Sequence, residues 1–228
     1  MSAGPEPLRY RTRPAAAAPR GALVLLHGRA TDENDLFPLL DALDPDRRLI
    51  GITVRGPLSL PPGGRHWYAV PRVGYPDPAT FVASVQQLFA LLDALAPTLG
   101  VDAGRTILGG FSQGSVMAYA LGLAAGRPVP AGILALSGFI PTVPGFELDP
   151  GARAGLPVLI AHGSLDPVIS VQFARQARER LEQAGLAVSY HESTTAHTID
   201  PRLLPDLRRW VAATSAVRAG SPTRPTTS

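Results

Sequence analysis

The sequence contains no cysteine, no lysine and no long uninterrupted apolar run. The missing cysteine excludes disulfide scaffolds, thiolate zinc sites and a cysteine nucleophile. No apolar run approaches the roughly 18 residues of a membrane-spanning helix, which predicts a soluble protein without stable membrane insertion. Disorder throughout is also excluded, because 45% of the residues are hydrophobic and only 17% are charged.

All 21 basic residues are arginine, and their distribution explains the formal net charge of +3. Residues 1–20 hold four arginines and one glutamate, and residues 214–228 hold two arginines and no acidic residue. The intervening chain has 15 arginines against 17 acidic residues. The basic excess therefore lies at the two ends, which hold a single aromatic residue, Tyr10, for base stacking, and we expect no nucleic-acid binding.

Composition divides the chain into three zones. Residues 1–20 and 214–228 are rich in small, polar and proline residues, which predicts an N-terminal extension and a disordered tail around one domain at 21–213. The N-terminus lacks the apolar stretch of a secretory signal, so we expect a cytoplasmic protein. The histidines show no metal-ligand spacing, and we expect neither a metal nor another cofactor.

Short apolar runs alternate with helical patterns in the central zone, which predicts an α/β fold with a mostly parallel sheet and helices on both faces. The predicted strands are 22–27, 49–54, 105–110, 131–136, 157–162 and 186–191, with 7–12 as an antiparallel edge strand. The first predicted helix begins after Asp77 and is ended by Pro97 and Gly100. Three more are predicted at 113–125, from Ser170 to Gly185, and at 201–213.

The segment Gly110-Phe111-Ser112-Gln113-Gly114 fits the G-x-S-x-G pattern, with a predicted strand before it and a predicted helix after it. Such a sharp strand-to-helix turn strains the backbone and leaves no space for side chains at the two flanking glycines. We therefore predict that Ser112 is a nucleophile at the carboxyl edge of the sheet. A serine hydroxyl needs a base to take its proton.

Five histidines compete for the role of that base. Structural roles suffice for His27, His66, His162 and His191, whereas His197 lies in a loop after the last predicted strand. Asp166 also follows a strand, and the order Ser112, Asp166, His197 is the nucleophile, acid, base order of α/β-hydrolases. Asp200 is the rival acid, but its position before Pro201 predicts a helix cap.

An acyl-transfer site also needs donors for the oxyanion. The backbone amides of Gln113, after the nucleophile, and of Arg29, in a loop after an early strand, are the candidates. The Arg29 side chain either reaches the substrate or pairs with one of the nearby acidic residues Asp32, Glu33 and Asp35, and the pattern leaves this open.

Seven ordered motifs make the chain resemble the phospholipase/carboxylesterase family of α/β-hydrolases, which includes bacterial carboxylesterases and acyl-protein thioesterases. The motifs are HGRATDENDL at 27–36, RGP at 55–57, GGRHWY at 63–68, GGFSQG at 109–114, LSGFIP at 136–141, HGSLDPVIS at 162–170 and AHTI at 196–199. The resemblance implies the α/β-hydrolase fold, a triad of Ser112, Asp166 and His197, and oxyanion donors at Arg29 and Gln113. The chain departs from the family at Arg29-Ala30, where further glycines are common, and at Ala196, which replaces a usual glycine.

Motif loops at the same edge supply candidate pocket residues, namely Trp67, Tyr68, Phe139, Ile140 and Val168. For Trp67 and Phe139, the pocket wall and the ordinary core are equally good interpretations. No segment is long enough for a lid, which predicts an open site that suits short or medium acyl chains.

The hypothesis is a serine esterase or thioesterase that acts on small acyl esters through an acyl-enzyme. Lysophospholipase and acyl-protein thioesterase activities stay open within catalysis, and a catalytically silent hydrolase-fold binding protein is the alternative outside it. A homodimer is left open as well.

Overall fold

The computed structural model describes residues 7–217. The strands are β1 (Tyr10–Arg13), β2 (Gly21–Leu26), β3 (Leu49–Val54), β4 (Leu58–Ser59), β5 (Arg65–His66), β6 (Thr106–Phe111), β7 (Gly132–Leu136), β8 (Pro157–Gly163) and β9 (Ala187–Ser193). The α-helices are α1 (Phe37–Leu43), α2 (Pro78–Leu99), α3 (Gln113–Leu123), α4 (Val171–Gln183) and α5 (Leu204–Val217). Seven strands form one sheet in the order β1-β3-β2-β6-β7-β8-β9, and β4 and β5 form a separate hairpin.

The sheet is parallel except at one edge, where β1 runs antiparallel to β3. Every residue of β2 and β7 is buried, as expected for strands covered on both faces. Helices α2, α3 and α4 cover one face, and α1 and α5 cover the other. The predicted α/β fold with a mostly parallel sheet is therefore confirmed.

The predicted elements match the observed ones within a few residues, with three differences. Helix α1 and the β4–β5 hairpin were not predicted, because a seven-residue helix and two-residue strands leave little periodicity in a sequence. Helix α2 continues through Pro97 and ends at Gly100, whose φ of 64° gives a left-handed cap. Proline was expected to end this helix, but here it lies within the last turn, where only one backbone hydrogen bond is lost.

Helix α2 is long and apolar enough, by length and composition, to cross a membrane. Polar residues such as Gln86, Gln87 and Asp93 interrupt it, which is why the sequence shows no uninterrupted run. Its side chains Phe81, Val85, Leu88 and Leu95 are buried against the sheet. A core helix of a soluble protein meets the same criterion, so the length and composition of α2 are weak evidence for a membrane-spanning helix.

The predicted extension and tail lie partly outside the described residues. Residues 1–6 and 218–228 are not described. Within the described part, residues 10–13 form the edge strand and residues 214–217 continue α5. Thr214 and Ser215 are buried, and the Thr214 side chain lies beside Gly132 at the start of β7.

Candidate active site

Ser112 lies on the turn between β6 and α3 with φ 55° and ψ −120°, a backbone conformation that is strained for any residue other than glycine. A Cβ at Gly110 would lie 2.3 Å from the Gly114 carbonyl carbon, and one at Gly114 would lie 1.8 Å from the Leu26 oxygen. Both distances are far below any real contact. The two glycines thus let β2, β6 and α3 approach closely enough to form the turn.

Three side chains from distant parts of the sequence converge at this turn. The Ser112 Oγ lies 2.8 Å from His197 Nε2, and His197 Nδ1 lies 2.6 Å from Asp166 Oδ2. Asp166 follows β8 and His197 follows β9, so the carboxyl ends of three parallel strands bring them together. The His197 ring also packs on Phe111, with 4.9 Å between the ring centroids.

The environment of Asp166 keeps its carboxyl group ionised. Burial by itself would raise the pKa, but hydrogen bonds from His197 and from the Ile169 and Val168 amides outweigh it and hold the pKa below its usual value. An ionised carboxylate only accepts hydrogen bonds, so His197 carries its proton on Nδ1. The Nε2 atom is then unprotonated and accepts the hydrogen bond of the Ser112 hydroxyl.

His27 and His162 lie close to the site and hold its loops. Gly56 N–H donates to His27 Nε2 at 2.9 Å, which leaves Nδ1–H to donate to the Gly28 oxygen at 2.6 Å. Burial lowers the pKa of His27, which favours this neutral form. His162 Nε2 lies 2.8 Å from the Ile169 oxygen and 3.4 Å from Asp166 Oδ2, so its ring supports the loop that carries the acid.

The remaining candidates lie apart from the Ser112 hydroxyl. His66 Nδ1 is within hydrogen-bonding distance of the Tyr68 oxygen, and His191 is 3.9 Å from Asp206. Asp200 accepts from the Arg202 amide and precedes the short 3-10 turn that leads into α5. It has the geometry of the predicted helix cap.

The backbone amides of Arg29 and Gln113 flank the serine. The loop 28–31 follows β2, and the amide of Gln113 is the first of helix α3. The backbone hydrogen bonds of residues 7–217 do not use either N–H, whereas the neighbouring Ala30 N–H donates to the Arg65 oxygen. Both donors are therefore available to a bound ligand.

Sequence reasoning missed the role of the Gln113 side chain. Its Oε1 accepts from the Trp67 amide at 3.0 Å, and its Nε2 donates to the Tyr68 oxygen at 3.0 Å. The side chain thereby joins the start of α3 to the segment that follows β5. The partners lie about 45 residues away and are backbone groups, so no sequence pattern could have shown them.

A cavity of about 320 Å³ opens beside Ser112. Its wall includes Tyr68, Phe139 and Val168 of the expected pocket residues, together with Val70 and Val73. The other lining residues are Arg29, Arg72, Gly74, Pro76, Gln113 and Ile169. The wall is mostly apolar, as an acyl group requires.

Two expected pocket residues lie elsewhere. Trp67 is fully buried, its Nε1 donates to the His27 oxygen at 2.8 Å, and its ring packs on the His27 ring. Ile140 packs against the core cluster between α3, α4 and the sheet. Trp67 therefore belongs to the core, and neither residue lines this cavity, because their loop positions do not specify which way they point.

The same edge of the molecule carries most of the exposed large apolar side chains. Val70, Val73, Tyr75, Leu165 and Val168 are exposed between 39% and 68%. Between residues 138 and 156 the chain contains only a tight turn and one 3-10 turn at Gly151–Arg153. Among residues 7–217, no cluster of three or more potential ligands could hold a metal ion.

Comparisons with known proteins agree with this fold. A family model described as phospholipase/carboxylesterase matches residues 11–215. The protein MhqD of Bacillus subtilis is 30% identical over 82% of this chain and 90% of its own length. Acyl-protein thioesterase 1 of Candida albicans is 25% identical over 84% of this chain and 91% of its own length.

A solved structure of esterase PE8 superposes on this chain with a TM-score of 0.79 and is 28% identical in sequence. It covers 91% of this chain and 99% of its own. The match of the family model to most of the chain confirms the resemblance inferred from the seven motifs. The chain therefore belongs to the phospholipase/carboxylesterase family of α/β-hydrolases.

Proposed function

We propose that this protein is a serine esterase that cleaves short to medium acyl esters through an acyl-enzyme formed on Ser112. The observation that carries the proposal is the continuous hydrogen-bond chain from Asp166 through His197 to the Ser112 hydroxyl. A catalytically silent hydrolase-fold protein has no need of such a chain on a strained turn. Family membership supports the same activity.

The geometry supports a two-step mechanism. His197 Nε2 takes the proton of Ser112 as Oγ attacks the ester carbonyl, and the Arg29 and Gln113 amides bind the oxyanion. Asp166 fixes the imidazole tautomer and stabilises the imidazolium. His197 then protonates the leaving alcohol, and water repeats the sequence on the acyl-enzyme, which releases the acid and restores Ser112.

The cavity favours small acyl groups. A volume of about 320 Å³ lies at the small end of ligand sites. The open edge and short 138–156 segment provide no lid over a long lipid chain. A thioester is the second candidate substrate, because thioesterases are among the relatives and the same attack cleaves either bond.

The cellular setting is part of the proposal. We infer a cytoplasmic enzyme that acts on a small ester or thioester without a nucleic-acid partner. The charge balance of residues 21–213, with 15 arginines against 17 acidic residues, supports the lack of a nucleic-acid partner. A homodimer stays open.

The test is hydrolysis of 4-nitrophenyl esters from acetate to laurate by the wild type and by Ser112→Ala. We expect activity to peak at short to medium chains and kcat to fall by about 10⁴–10⁶-fold in the variant. A fluorophosphonate probe should label the wild type on Ser112. Equal rates in both proteins, or labelling of another residue, would contradict the assignment.

A further inference from the structure

The active-site cavity has a distinct charge pattern. Among its twelve lining residues, Arg29 and Arg72 are the charged ones, and both are cationic. The rest of the wall consists mostly of apolar side chains, including Val73, Phe139 and Val168. A purely neutral acyl ester has no use for two guanidinium groups beside its binding site.

Neither arginine is neutralised by an acidic neighbour. Asp32 and Glu33, which lie close to Arg29 in the sequence, pair instead with Arg55, at 3.4 Å and 2.5 Å. No carboxylate oxygen of the described residues lies within 4.0 Å of the Arg29 or Arg72 guanidinium. The Arg29 side chain therefore does not pair with its acidic neighbours in the sequence, and Arg29 lines the cavity.

Arg72 is held in place without using its hydrogen-bond donors. Its guanidinium carbon lies 3.7 Å from the centroid of the Tyr75 ring, and the Tyr75 amide donates to the Arg72 oxygen at 3.0 Å. Stacking engages the face of the guanidinium, whereas its N–H groups point outward in its plane. Those N–H groups match the geometry of a carboxylate or phosphate.

We propose that the substrate carries an anionic group, a carboxylate or a phosphate, which Arg29 and Arg72 bind at the cavity while Ser112 attacks the ester carbonyl. This inference rests on the proposed esterase function and narrows its substrate class. The anion belongs to the acyl part or to the alcohol part of the ester. Both sources present the same chemistry to the two guanidinium groups.

The experiment uses two matched pairs of esters. The acyl pair is 4-nitrophenyl hemiadipate and its neutral adipic monoamide analogue, and the alcohol pair is 4-carboxyphenyl pentanoate and 4-carbamoylphenyl pentanoate. The readout is the ratio of kcat/KM for the anionic ester to that for its neutral partner, after subtraction of uncatalysed hydrolysis. Because both esters of a pair are measured with the same protein, a substitution that weakens the catalytic groups lowers both kcat/KM values and leaves their ratio unchanged.

In one of the pairs, we expect the wild type to have a kcat/KM at least about tenfold higher for the anionic ester than for its neutral partner. The reason is that charge-assisted hydrogen bonds are stronger than hydrogen bonds between neutral groups. That pair identifies the part of the substrate that bears the anion. Arg72→Gln and Arg29→Gln should each lower the ratio about threefold or more. Arg209→Gln, on α5 at the opposite face of the sheet, is the control and should not change it.

A structural role of Arg72 would not make the ratio sensitive to salt, whereas anion binding predicts that it falls between 0.05 and about 0.5 M NaCl. Wild-type ratios of one or less in both pairs would overturn the inference, as would a raised ratio that survives both substitutions. If none of the four esters is hydrolysed, the esterase function itself fails, and the inference fails with it. Turnover of the neutral esters separates the two failures.

Discussion

Among single residues, the glycines around Ser112 bear most directly on the chemistry. The nucleophile lies at the cavity on a turn whose backbone adopts a positive φ, and the neighbouring elements tolerate that turn only without side chains at Gly110 and Gly114. The strain is therefore supported by close packing of β2 and α3 rather than by any property of the serine itself. Packing of this kind responds strongly to one added methyl group.

We expect Gly114→Ala to lower the free energy of unfolding by about 1–3 kcal/mol or more, because the new Cβ would meet the Leu26 oxygen. The measurement is the urea midpoint with an unchanged m-value. Gly63→Ala is the control, since a Cβ there meets nothing within 4 Å, and it should stay within about 0.5 kcal/mol of the wild type. Equal midpoints for the two variants would show that the turn is not tightly packed.

The Gln113 side chain gives a second prediction. Gln113→Met keeps the backbone amide but leaves the Trp67 N–H without its partner, at a cost of about 1–3 kcal/mol, and removes one of the hydrogen bonds to the Tyr68 oxygen. Because Tyr68 lines the cavity, we expect KM for a neutral ester to rise more than kcat falls. Exposed Gln176 on α4 supplies the control Gln176→Met. The linking role is wrong if both variants have the same stability and KM.

Between elements, the start of α5 depends on one charged cap. Asp200 accepts from the Arg202 amide and guanidinium, and these hydrogen bonds lower its pKa from 3.8 to about 2. The native carboxyl group therefore stays ionised at pH values where the unfolded chain is protonated. Its contribution to stability is present above about pH 4 and is lost as the pH falls toward 2.

We expect Asp200→Asn to flatten the pH dependence of stability between pH 5 and about 2.5, because asparagine still caps the helix but does not titrate. The measurement is the urea midpoint as a function of pH. Arg202→Gln should flatten the curve in part, because its backbone amide still donates to Asp200, whereas the exposed Asp35→Asn should leave the curve steep. A slope equal to that of the wild type in Asp200→Asn would contradict the linkage.

At the scale of the whole molecule, a buried ion pair joins the edge strand β1 to helix α1 on one face of the sheet. Arg13 at the end of β1 and Asp44 after α1 are 3% and 4% exposed, and their side chains meet at 2.8 Å. Arg13 also donates to the Leu40, Asp44 and Leu49 oxygens, and Asp44 accepts from the Leu49 amide. The pair thus joins β1, α1 and β3 in one network.

We expect Arg13→Met to destabilise the protein by about 3–5 kcal/mol, because it leaves the Asp44 carboxylate buried without its partner. Thermal or urea unfolding of the full chain measures this loss. Arg11→Met on the same strand is the matched control, since Arg11 is exposed and should cost about 1 kcal/mol or less. Similar losses in the two variants would mean that burial of the pair is unimportant.

Most of the strands, the nucleophile turn and the order of Ser112, Asp166 and His197 could be predicted from the sequence. These features depend on apolar runs, glycine positions and helix caps, which are set by residues close together in the chain. Helix α1 and the β4–β5 hairpin escaped prediction because so few residues define them. The continuation of α2 through Pro97 escaped it because proline is usually read as a terminator.

Residue order and local pattern were enough to name the triad candidates, because parallel strands that end at one edge bring their loops together whatever the remaining side chains are. The folded chain was needed to show that Trp67 contacts His27, that Gln113 holds the segment after β5, and that Asp32 and Glu33 pair with Arg55 and leave Arg29 at the cavity. Those contacts join residues 22 to 46 positions apart. Their geometry depends on strand register and loop direction, which residues near in sequence do not specify.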